Sequence, residues 1–145
     1  MKKAIFVLLC CLFGAGMAWA SEPDYIVSDG KVYIVESVKI SPFQVFHGKN
    51  DDGRVRFRAN EVESYRKNGE VYQRLPEYVD NQPTGREVFM KGLAYRNGYV
   101  IYKQTSMAEN RQVIEQYYVF RGNDYLLQLD PSTSLQLTQY FSYKD

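Results

Sequence analysis

Past residue 20 this chain contains no cysteine and no tryptophan: Cys10, Cys11 and Trp19 all fall within the first twenty positions, and His47 is the single histidine. With that stretch removed, disulfides and thiol chemistry are excluded, and stability has to come from a hydrophobic core. A zinc site wants three or four ligands at suitable spacing, and a calcium loop wants alternating acidic positions with a distal Glu. His47 with Asn50, Asp51 and Asp52 offers neither, so Asn50-Asp51-Asp52-Gly53 reads as turn chemistry and no metal is expected. No serine lies in a nucleophile-elbow sequence and no Gly-rich phosphate loop occurs, so acyl-transfer and thiol mechanisms lack parts and no cofactor is implied. Charge of one sign is equally scarce, with 18 Lys and Arg against 17 Asp and Glu. No global field for nucleic acid follows from that balance.

The first twenty residues read as a secretory signal. Lys2 and Lys3 form a basic start, Ala4 to Gly16 an apolar stretch, and Ala18-Trp19-Ala20 a small-x-small cleavage site. The apolar run is short for a membrane span of about 20 residues, and no lipid-attachment sequence precedes Cys10 or Cys11. The expectation is an exported protein (periplasm, cell surface or extracellular) starting at Ser21, with no transmembrane segment after cleavage. One domain, 21–145, is long enough to bury a core without cross-links.

What the chain has in excess is tyrosine, 13 residues, all past the signal. Aromatics favour strands, and turn dipeptides punctuate them: Asp29-Gly30, Asp52-Gly53, Asn68-Gly69, Asn97-Gly98 and Gly122-Asn123. Pairing about these turns sets Val27 against Val32, Ile26 against Tyr33, Tyr95 against Val100, Leu93 against Tyr102 and Phe120 against Tyr125. About Asn68-Gly69 it sets Lys67 against Glu70, Tyr65 against Tyr72, Glu63 against Arg74 and Val62 against Leu75, where the charge signs and apolar characters match. The spacing of the turns is irregular, which argues against a solenoid.

Strands are expected at 24–28, 31–38, 43–48, 54–59, 62–67, 70–75, 87–96, 99–104, 112–121, 124–128 and 134–141. The fold class is thus all-β: an antiparallel meander of about ten short strands, closed as a barrel or as a two-layer sandwich. Pro76 to Gly85 reads as the one long loop. Thr84 with Glu87 and Ser106 with Glu109 fit capping boxes, and a short helix within 106–116 is the expected exception. Strands such as Lys31 to Val38 and Gln112 to Phe120 are apolar on both faces, which suits central strands or a face covered by a loop or partner.

Phe57, Ala59, Val62, Tyr65, Gly69, Tyr72, Phe89, Met90, Leu93, Gly98, Ile101, Tyr102 and Lys103 form a strand, glycine-turn and tyrosine pattern over a little over a third of the chain. It resembles small exported all-β proteins of unknown function from Bacteroidota-type bacteria. The resemblance implies export and fold, and carries no activity.

Candidate functional residues come from charge and aromatic patterning. Arg54, Arg56 and Arg58 alternate with Val55 and Phe57, a basic stripe suited to an anionic glycan, a lipid headgroup or an acidic partner. The competing reading is a solvated face that discourages edge pairing. Tyr65 and Tyr72, beside Glu63 and Arg74, are expected near solvent as a contact surface for a protein or sugar, the alternative being packing that merely supports the hairpin. Glu61 and Glu63 are a carboxylate pair of the kind glycoside hydrolysis uses, yet solvent-facing strands commonly carry such pairs. The reading is a non-enzymatic extracytoplasmic binding or interaction module with an envelope protein or glycan as partner and no nucleic acid. A lipocalin-like barrel carrying a small apolar ligand and a glycan-acting enzyme stand as alternatives. Mass spectrometry of the exported product should find a chain beginning at Ser21, and a species still carrying residues 1–20 would overturn the signal assignment.

Overall fold

The computed structural model describes residues Glu22 to Ser142, so the expected signal, 1–20, lies outside the described residues. The chain divides into two compact units, Met1–Val71 and Tyr72–Asp145. Among the described residues the secondary structure is eleven strands, one 3-10 turn and one C-terminal helix, and the class is all-β. Neither sheet closes on itself, so of the two expected architectures the barrel is excluded.

In the first unit β1 (Asp24–Ser28) is buried at every position and lies between β2 (Lys31–Val35) and β6 (Ser64–Lys67). The β1–β2 turn has Asp29 at φ 50° and Gly30 at φ 74°, the paired positive values of a two-residue hairpin, and it sets Val27 against Val32 and Ile26 against Tyr33 as the pattern predicts. Both carboxylate oxygens of buried Asp24 accept backbone N–H groups, from Val38 at 2.9 Å and Asn68 at 3.0 Å. Two segments distant in sequence are thereby tied to the start of β1.

A second sheet, in the order β3-β4-β5, comprises β3 (Lys39–Ile40), β4 (Val45–Asn50) and β5 (Gly53–Arg58), followed by the 3-10 turn Ala59–Glu61. Its inward face carries Phe46 opposite Phe57 and Gly48 opposite Val55. Phe46 meets Tyr65 edge-on at 4.9 Å between centroids, and Phe57 meets Tyr33 at 5.0 Å. Gly48 lets β4 approach Val35 closely: a Cβ there would stand 2.5 Å from Val35 Cγ1. Only a residue without a side chain fits that approach.

The second unit is a five-stranded antiparallel meander. Its strands are β7 (Glu70–Val79, from Tyr72 onward), β8 (Gln82–Arg96), β9 (Tyr99–Met107), β10 (Val113–Arg121) and β11 (Asp124–Leu129). Arg96 opposes Tyr99, and Tyr95 opposes Val100 as expected, but Gly92, not Leu93, faces Tyr102, because Leu93 is the extra residue of a bulge. Leu75, Met90, Val100, Tyr102, Tyr118 and Phe120 cluster in one buried core. A second cluster of Ile101, Val119 and Leu129 is covered by Leu137 and Phe141 of helix α1 (Pro131–Ser142).

Three further expectations are corrected in this unit. Residues 76–85 are not a loop: Asp80 and Asn81, at φ 51° and 62°, form a tight turn that joins β7 directly to β8. Residues 106–116 hold no helix, since β9 runs to Met107 and β10 starts at Val113. Residues 134–141, expected as a strand, lie in α1, whose start is the Asp130-Pro131 pair. Asp130 accepts the Thr133 N–H at 2.9 Å, with hydroxyl bonds from Thr133 and Ser132, and these donors hold its carboxyl down at about 2. An Asp N-cap followed by Pro is a helix-start pattern. At the other end Arg96 donates to the Tyr140 carbonyl at 3.0 Å, a cation at the negative end of the helix dipole.

Filling the close approach should be costly. Gly48→Val is expected to lower stability by about 1–3 kcal/mol through overpacking, read from the denaturation midpoint. An unchanged midpoint would mean that β4 does not press on Val35.

Candidate functional site

Strand pairing gathers more cations on one face than the linear stripe contains. Directly opposed residues of an antiparallel pair share a sheet face. Lys49 opposes Arg54, His47 opposes Arg56, and Lys39 of β3 opposes His47. Arg54, Arg56 and Arg58 therefore stand beside Lys39, His47 and Lys49, and all six side chains are exposed. Val45, opposite Arg58, completes the rows and is half-buried. The faces are assigned by the core, because Phe46, Gly48, Val55 and Phe57 occupy the alternate, inward positions.

Among the described residues, none of the five Lys and Arg side chains of this face has an ion-pair partner. Carboxylates near in sequence flank the face, among them Glu36, whose N–H donates to the Lys49 carbonyl at 2.9 Å. Asp51 and Asp52 occupy the β4–β5 turn, and Glu61 accepts the Arg58 N–H at 2.8 Å. His47 is flanked by cations, and among the described residues no three His, Cys, Asp or Glu side chains are grouped as a metal would need. Like charges opposed across strands are destabilising, at roughly 0.5–1 kcal/mol per neighbouring pair in water at separations of about 5–8 Å. Discouraging edge pairing accounts for arginines on the edge strand β5. It does not account for His47 and Lys49 on β4, the middle strand.

The other sequence candidates do not join this face. Tyr65, expected near solvent, is only 7% exposed and packs on Phe46, so its ring belongs to the core of the first unit. The alternation about Asn68-Gly69 reports which residues share a face but not what lies over it, and here Phe46 does. Glu63 is half-buried and accepts the Gly30 N–H at 3.2 Å. Glu61 and Glu63, the possible catalytic pair, are thus each bound to a different backbone amide. In the second unit Tyr72 is half-buried opposite Lys91, and Arg74 pairs with Glu87 at 2.8 Å.

That unit also contains a charged centre that sequence reasoning missed. Glu77 is 6% exposed and sits where a single β7 residue faces Thr84, Gly85 and Arg86 of β8, between the pairs Pro76–Glu87 and Tyr78–Pro83. Its carboxylate accepts from Arg86 at 2.8 and 3.3 Å, from the Gln104 amide at 2.8 Å and from the Thr84 hydroxyl at 3.0 Å. Burial pushes its pKa up, but the bonds from Arg86, Gln104 and Thr84 and the charge of Arg86 outweigh burial and hold it below the ordinary 4.5. The group is an ionised anchor for the bulge and is poorly suited to donate a proton at neutral pH. Beside it, Tyr78 and Tyr125 stack at 3.8 Å, and burial together with Tyr125, Glu77 and Asp80 raises buried Tyr118 to about 12. No spacing rule in the sequence links Glu77 to Gln104, because their contact depends on the β7–β8–β9 order.

Comparison with protein-family models, curated proteins and solved structures gives no match. The resemblance to exported Bacteroidota-type proteins therefore rests on the residues that carry it. Among the described residues no helix is long and apolar enough to cross a membrane.

A depressed carboxylate contributes stability that is complete above its unfolded-state value and is lost as pH falls through the folded one. Glu77→Gln is expected to cost about 1–3 kcal/mol at neutral pH, the range for a buried group deprived of its partner. The gap from wild type should narrow between neutral pH and a pH well below the ordinary 4.5, where the lowered carboxyl begins to take up its proton. Chemical denaturation at both pH values checks this, and a gap independent of pH would assign Glu77 a purely steric role.

Proposed function

We propose that the protein is a non-enzymatic binding module of the cell envelope that holds a polyanionic partner on the outer face of β3-β4-β5. The observation that carries this reading is the cluster of Lys39, Lys49, Arg54, Arg56 and Arg58 about His47, which has no ion-pair partner among the described residues. Clustered cations without internal counterions cost folding energy through self-repulsion. An external polyanion recovers that cost and releases its own counterions. Arginine suits the role, since its planar fork bonds sulfate, phosphate and carboxylate oxygens two at a time. The signal pattern supports placement outside the cytoplasm. The aromatic half of the expected contact surface is withdrawn for Tyr65, whose ring is buried, and the charged half is enlarged by Lys39, His47 and Lys49.

Retention on immobilised heparin, as a sulfated probe polymer, tests the reading. The wild type should bind at low salt and elute as salt rises, and the variant Arg54→Gln, Arg56→Gln, Arg58→Gln should elute markedly earlier while keeping its circular dichroism spectrum. Elution of the folded variant with the wild type would move the binding surface elsewhere.

A further inference from the structure

The most exposed large hydrophobic residue among the described ones is Phe43, at 89%. Lone exposed apolar side chains are ordinary, but the backbone around this one is held. Residues 41–45 form the β3–β4 turn, closed by Ser41 N–H to Val45 O and Gln44 N–H to Ser41 O, both 2.9 Å, and by Val45 N–H to the Ser41 hydroxyl at 3.2 Å. Gln44 takes a left-handed φ of 57°, an uncommon conformation for this residue type, and its carbonyl accepts the Ala59 N–H at 3.1 Å. Phe43 is thus presented to water on a hydrogen-bonded tip, at the end of the sheet where Val45 opposes Arg58.

Resting on the polyanion reading above, we propose that the partner is an anionic lipid surface, with the β3-β4-β5 face laid on the headgroups and Phe43 inserted beneath them. Two features favour lipid over a soluble polymer. The cations form a two-dimensional array, about 14 Å from Arg54 to Arg58 along the strand and about 10 Å across three strands. Laterally mobile headgroups can match such an array at any spacing, whereas a linear chain engages one row at a time. An exposed Phe ring gains little from a highly charged, hydrated polymer, whereas an apolar side chain on the tip of a basic sheet is the pairing that interfacial membrane binding uses. The half-buried Val45 among the basic rows keeps that end of the face apolar.

The test uses the full chain, expressed with its own residues 1–20 and purified from the host envelope, in co-sedimentation with two kinds of vesicle: phosphatidylcholine alone, and phosphatidylcholine mixed with phosphatidylglycerol. Binding is expected to the mixed vesicles only. It should weaken on the order of a hundredfold in the triple Arg→Gln variant and about tenfold in Phe43→Ser, both checked for folding by circular dichroism. Equal binding to the two vesicle types, or full binding by Phe43→Ser, overturns the proposal. Failure on mixed vesicles with heparin retention intact overturns lipid as the partner in favour of a soluble polyanion and leaves the basic-face reading standing. Failure on both probes overturns both.

Discussion

The approach of Gly48 to Val35 determines which way β4 faces. A glycine whose missing Cβ would lie 2.5 Å from a valine methyl can only be an inward residue. Because side chains alternate along a strand with period two, Phe46 follows it inward and His47 and Lys49 must point out. Pairing passes the same choice to β5, so Val55 and Phe57 turn to the core and the three arginines turn to solvent. A slip by one residue would bury Lys49 and the three arginines with His47, at a desolvation cost no small core could offset. One packing contact therefore secures both the interior of the first unit and the charge pattern of its surface.

The second unit solves a different problem, a central sheet that is apolar on both sides. One face of β9 and β10 supplies Tyr102, Tyr118 and Phe120 to a core built largely of rings. The other supplies Ile101 and Val119, which α1 covers through Leu137 and Phe141. Arg96 and Asp130 hold the two ends of that helix. Glu77 shows how such a sheet admits a buried charge: four donor bonds from three side chains surround it, and the bulge that brings Thr84 and Arg86 over it is part of the β7–β8 pairing itself. A buried carboxylate satisfied in this way stays ionised and specifies local geometry.

Charge is distributed to different ends in the two units. The anion at Glu77 is enclosed and matched within its own strands. The cations on β3-β4-β5 are exposed and unmatched, and two of the six basic groups sit on a central strand where edge protection is irrelevant. Proteins commonly retain such locally unfavourable arrangements at binding surfaces, where the partner restores the balance.

Much of the strand plan was legible in the sequence, because turn dipeptides and period-two alternation are local properties of the chain. Asp29-Gly30 and Gly122-Asn123 yield registers that hold, such as Val27 with Val32 and Phe120 with Tyr125, and Asn97-Gly98 sets Tyr95 against Val100 before the bulge at Leu93 shifts the rest. The Arg54, Arg56 and Arg58 row is legible for the same reason. The strand expected at 134–141 missed the Asp130-Pro131 helix start, although that pattern is itself local. Only the tertiary structure decided the rest. Whether Tyr65 meets water or Phe46, whether Lys39 and Lys49 join the arginines, and whether Gln104 reaches Glu77 all depend on which strands become neighbours. Alternation states that two residues share a face, but what covers that face is settled by packing between segments far apart in the chain.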